Sequence, residues 1–123
     1  MKGILYTSNF AKIKNAKGII ISVARFNPKW LPKDKYIWFK NLAPSKDLLK
    51  NYKDNKIDWE EYIPIYYEGL NNLFSKYEIH KIKKYLNSGQ DVTILCYERS
   101  EDNCHRHLLA NLFKDLGYYI EEI

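Results

Sequence analysis

Cysteine, proline, glycine and methionine are all scarce: 2, 4, 5 and 1 of them, respectively, in 123 residues. Two cysteines, Cys96 and Cys104, are too few for the disulfide framework of a small secreted domain, so both are expected as thiols in a reducing compartment. No apolar run approaches the roughly 18 residues that cross a bilayer, and the apolar stretch at the start is interrupted too early to resemble an export leader. No membrane partner is expected, and the expected location is cytoplasmic. There is no internal repeat, no low-complexity tract and no flexible linker to divide the chain. A single domain over residues 1–123 is therefore expected.

The composition supplies a core: 46% of the residues are hydrophobic, enough for a domain of this size to fold without metal or disulfide staples. Lys and Arg number 20 against 15 Asp and Glu, a formal net charge of +5. Such a balance attracts polyanions, but the lysines are scattered, which is equally the mark of a solvated surface.

Residues 3–8 and 18–24 read as strands, the second a β-branched run of the kind buried on both faces of a sheet. Residues 25–42, rich in Pro and aromatics, read as a long loop with a short extended piece at 36–40. Ser45 is placed to cap a helix through Leu48, Leu49 and Tyr52, and Asp58 with Glu61 has the spacing of a capping box opening a second helix near Trp59. That helix shows an apolar stripe of Tyr62, Tyr66, Leu70 and Leu73, with Pro64 expected to bend its first turns. A third helix is predicted over residues 78–86, closed by Gly89. Strand 91–97, helix 104–116 closed by Gly117, and strand 118–123 complete a βαβ pattern. The expected fold is a three-layer α/β domain with a mostly parallel central sheet and helices on both faces.

In such a sheet ligands bind beyond the carboxyl ends of the strands. Those ends carry Ser8 and Asn9 after the first strand, Arg25 after the second, and Cys96, Glu98, Arg99, Cys104, His105, Arg106 and His107 around the last loop. If Asp102 or Asn103 caps the helix, His105 and Arg106 fall in its first turn, where the macrodipole disfavours cations by about 0.3–1 kcal/mol. One compensation is a bound anion held by free helix amides with Arg25, Arg99 and Arg106, hydrogen bonds coming from Ser8, Asn9 and His105. Another is local pairing with Glu98, Glu101 and Asp102.

The first points to a phosphate-bearing ligand, a nucleotide or nucleic-acid end. A second function class is a cysteine-dependent enzyme, with Cys104 or Cys96 as nucleophile and His105 or Glu98 moving the proton. Cys96 at the end of a buried strand equally fits an inert core thiol. A third class is a non-catalytic protein-interaction module using the aromatic residues. Trp30, Trp38, Phe39 and Trp59 could stack on a base or simply pack the loop onto the core. A phosphatase loop is excluded, since the position an arginine must occupy after each cysteine holds Asp102 or Ala110. No metal or other cofactor is expected, because His105 and His107 point to different helix faces. His80, on a Lys-rich helix, reads as a surface residue.

The run Ile94-Leu95-Cys96-Tyr97-Glu98-Arg99, a short acidic loop, then Asn103-Cys104-His105-Arg106 and Leu108-Leu109-Ala110 resembles the signature of the domain-of-unknown-function family numbered 488. Tyr6-Thr7-Ser8-Asn9, the strand reaching Arg25, the stretch from Asn41 to Leu48 and Trp59-Glu60-Glu61-Tyr62 extend the resemblance over most of the chain. One departure is Ser22-Val23-Ala24-Arg25, where the family commonly carries an acidic residue before the arginine. The resemblance implies a compact α/β fold and a polar cleft centred on the Cys-x-Glu-Arg and Cys-His-Arg elements, and it implies no particular reaction.

Overall fold

A computed structural model describes residues 1–98 and 102–123. Five strands, β1 (Leu5–Asn9), β2 (Ile19–Ser22), β3 (Ile37–Trp38), β4 (Val92–Cys96) and β5 (Ile120–Glu122), form one sheet in the order β3-β2-β4-β1-β5, with every pair parallel. Residues Leu5, Val92 and Ile19 stand in register across β1, β4 and β2, as do Thr7, Ile94 and Ile21. Side chains alternate between faces along a strand, so these rows share one face.

That face meets the helices α1 (Lys46–Lys53), α2 (Trp59–Gly69), α3 (Leu73–Asn87) and α4 (His105–Asp115): Leu48, Tyr66, Ile82 and Phe113 join Leu5, Ile21 and Ile94 in one core. On the opposite face Leu95 and Ile20 pack with Phe10 and Ile13 of a 3-10 helix over Phe10–Asn15, and with Leu31 and Tyr36 of the long loop. The molecule is therefore a three-layer α/β domain with helical cover on both sides. No helix among the described residues is long and apolar enough to cross a membrane.

The expected caps are present: Ser45 accepts from the Leu48 amide, and Asp58 with Glu61 makes the reciprocal capping box. Gly89 and Gly117 hold positive φ just beyond α3 and α4. Two expectations need correction. Helix α2 stops at Gly69, and Leu73 opens α3 instead of extending the α2 stripe. Helix α3 begins well before residue 78, because Asn72 accepts from the Ser75 amide as an N-cap; exposed Leu73 and Phe74 hid that first turn from an apolar-stripe reading. The terminal strand–helix–strand unit joins two parallel strands of the sheet as expected, with β1 lying between β4 and β5.

Gly3 and Gly18 lie where the amino ends of β1 and β2 close on the start of β4. Asp91 ties all three strands there, its carboxylate accepting from the Ile4 amide at 2.9 Å and its carbonyl from the Ile19 amide at 2.9 Å.

Candidate functional site

Strand β4 ends on Cys96, whose backbone is fixed in register with Asn9 of β1. Helix α4 starts after Cys104, the N-cap residue, whose side chain makes no capping bond. The N-cap position thus falls on Cys104 and not on Asp102 or Asn103. The two sulfurs meet between these rigid elements, 2.8 Å apart, and both residues are buried. The Cys96 thiol also donates to Glu98 Oε2 at 3.0 Å.

His105 completes the cluster. Its Nε2 donates to the Val23 carbonyl at 2.6 Å, which leaves the Nδ1 lone pair aimed at the sulfurs, 3.8 Å from Cys96 Sγ and 3.7 Å from Cys104 Sγ. All four candidates for chemistry read from the sequence, Cys96, Glu98, Cys104 and His105, are thus brought together.

Their environment separates their charge states. Burial disfavours the His105 imidazolium, but Cys96, the Val23 carbonyl and Glu98 outweigh it and place the pKa above the ordinary histidine value. Burial also works against the Glu98 carboxylate, yet donation from Cys96, from its own amide and from Cys104 holds it below the usual carboxylate range. The Cys96 thiol is pushed well up, first by its contact with Cys104 and then by burial. A raised histidine pKa adds stability that is complete below the unfolded value of 6.5 and is lost as pH rises through the folded one. The unfolding free energy is accordingly expected to fall with rising pH above 6.5, and His105→Gln to remove that part of the slope in a urea-denaturation series.

A hollow of about 420 Å³ opens beside this cluster, lined among others by Tyr52, Trp59, Tyr62, Glu98, Cys104 and His105; Cys96 does not reach it. Trp59 and Tyr62 stack at 4.7 Å and 22°, and Tyr52 meets both rings edgewise or tilted. Burial, then the neighbouring thiols, keep the Tyr62 phenol protonated. Sequence reading assigned Tyr62 to the core stripe and grouped Trp59 with other aromatics. The structure separates that group: Phe39 is buried, Trp38 Nε1 donates to the Ala24 carbonyl, and Trp30 is exposed.

The residues expected to hold an anion lie otherwise. Arg106 is completely buried and points into the molecule, donating from Nη1 to the Glu98 carbonyl and pairing through Nη2 with Glu122 Oε2 at 3.0 Å. Its charge in the first turn of α4 is therefore balanced from β5, a partner far away in sequence. Ser8 is buried and donates to the Ile123 carbonyl, while Asn9 caps the 3-10 helix by accepting from the Lys12 amide. Arg25 donates to the Pro44 carbonyl and lines a different hollow with Lys40, Ser45 and Tyr66. Arg106 and Arg25 do not converge, and Arg99 lies outside the described residues. His107 turns toward Glu122, with burial and Arg106 lowering its pKa. Glu122, which also accepts from the Thr7 hydroxyl, was absent from the sequence reading because an acidic residue at the end of the chain carries no motif.

Cys96, Cys104 and His105 present donor atoms within 4.8 Å of one another, a set suited to a thiophilic ion. Two sulfurs on one tetrahedral zinc would stand about 3.8 Å apart, given a Zn–S distance near 2.3 Å. At 2.8 Å the sulfurs touch each other directly.

The family model DUF488-N3a, described as the active DUF488-N3 subclade, matches residues 5–117. No curated protein and no solved structure matches.

Proposed function

Since the chain belongs to the DUF488 family, within its N3a subclade, we propose that it is a cysteine-dependent enzyme with Cys104 as nucleophile. The observation that carries this reading is the His105 ring: Nε2 is fixed on the Val23 carbonyl, so that Nδ1 faces the one sulfur that also lines the hollow. Nδ1 takes the Cys104 proton as the sulfur reacts. The thiolate attacks an electrophilic centre held in the hollow, and the imidazolium returns the proton to the leaving group. Glu98 keeps the neighbouring Cys96 thiol oriented by accepting its hydrogen bond.

The Tyr52, Trp59 and Tyr62 wall favours a substrate with a flat, apolar or aromatic face next to the reacting atom. The matched family description speaks of an active subclade, in agreement with catalysis. An anion-binding role has less to stand on, because Arg106, Ser8 and Asn9 already have internal partners.

Alkylation of the reduced protein by iodoacetamide, mapped by peptide mass, tests the reading. At neutral pH Cys104 should be labelled at least about tenfold faster than Cys96, and His105→Gln should slow it about tenfold. Equal, slow labelling of both cysteines, or indifference to His105→Gln, would overturn it.

A further inference from the structure

We infer that Cys96 and Cys104 form a dithiol–disulfide couple that reduces a substrate disulfide, with Cys104 capturing the substrate sulfur and Cys96 resolving the mixed disulfide. The inference rests on the assignment of Cys104 as nucleophile and adds the second thiol and the class of substrate.

Three observations on the cluster carry it. The sulfurs are 2.8 Å apart, closer than ordinary non-bonded contact, so a disulfide of about 2.05 Å needs the two to approach by only about 0.8 Å. One base serves both, since His105 Nδ1 lies 3.7 Å from one sulfur and 3.8 Å from the other. Both thiols are equally buried, but Cys104 lines the hollow and Cys96 does not, so a disulfide held in the hollow meets Cys104 first.

The exchange then balances. The Cys104 thiolate attacks one sulfur of R–S–S–R′; that S–S bond breaks, and R′–S⁻ leaves with the proton held on His105. Cys96 gives its proton to the freed Nδ1 and attacks Cys104 Sγ. The mixed disulfide breaks, and R–S⁻ departs with the same proton. Two electrons and two protons pass from the protein dithiol to the substrate, which leaves as two thiols. A low-molecular-weight thiol reverses the sequence and restores the dithiol.

The test uses the full chain, reduced and then exposed to glutathione disulfide over a range of glutathione ratios, with intact and peptide masses recorded. The native chain should lose about 2 Da and carry a Cys96–Cys104 cross-link, reversed by excess glutathione. Cys96→Ser and Cys96→Ala should both stop at a glutathione adduct of about +305 Da on Cys104, and Cys104→Ser should form neither product at that position. A native chain that accumulates the adduct without the cross-link, or a Cys96 variant that clears the adduct as the native chain does, would overturn the inference. Fast alkylation of Cys104 without a cross-link would leave the nucleophile standing and remove the couple; absence of fast alkylation would remove both.

Discussion

Replacing Arg106 by Met is expected to lower the unfolding free energy by about 3 kcal/mol, the lower end of the cost of stripping one partner from a buried ion pair. The guanidinium is completely buried, and its Nη groups serve the Glu98 carbonyl and the Glu122 carboxylate. Methionine fills much of the volume but leaves both acceptors without their donor. The lower end applies because the Glu122 side chain keeps 28% of its exposure and can recover some solvation. Adding Glu122→Gln should return part of the loss, whereas Arg25→Met, at a half-buried residue whose guanidinium donates to the Pro44 carbonyl, should cost less than about 1 kcal/mol. Urea denaturation with linear extrapolation measures all three; a loss below about 1 kcal/mol for Arg106→Met would mean that the guanidinium is not sealed inside the fold. Because the same side chain holds the Glu98 backbone, the variant should also slow Cys104 alkylation by loosening the carboxylate beside Cys96.

Gly18→Ala is expected to be comparably damaging, at about 3 kcal/mol or more, from backbone strain and overpacking together. Its φ is +69°, and a Cβ there would stand 2.0 Å from the Asp91 carbonyl oxygen. That oxygen belongs to backbone pinned between β2 and β4, so it cannot give way as a flexible side chain would. Two other glycines separate the contributions. Gly117 has φ +98° with open space around it, so Gly117→Ala carries only the conformational cost, about 1–3 kcal/mol. Gly69, with neither a positive φ nor a neighbour within 4 Å, should accept alanine with no loss or a slight gain. Thermal or urea unfolding should rank the three in that order, and a Gly18→Ala chain as stable as Gly69→Ala would refute the close approach.

The ranking also shows what the sequence makes legible. Periodicity and caps are local, and they located β1, β2, β4, α1, α2 and α4 and the loop between β2 and α1. They located the body of α3 but missed its first turn, where Leu73 and Phe74 face solvent and carry no stripe, so Asn72 went unread as a cap. The cluster of Cys96, Glu98, Cys104 and His105 was legible because one short segment contains it. Less legible was Arg106: a cation at a helix start reads either as part of an anion site or as paired with nearby acids, and its partner is Glu122, sixteen residues on, on strand β5. Nor could spacing show that the Val23 carbonyl fixes the imidazole of His105, since the two are separated by 82 positions. Charge balance and tautomer choice are properties of the assembled fold, and a motif carries neither.

The order of the strands has a bearing on how the chain comes off the ribosome. Strands β1 and β2 do not pair with each other; each lies against β4, and β5 lies against β1. Apart from the short β2–β3 ladder, no part of the sheet can close before residues 92–96 have emerged. Until then the apolar edges of β1 and β2 wait unpaired while most of the polypeptide is being synthesised, the interval in which such edges are prone to stick to one another or to engage chaperones.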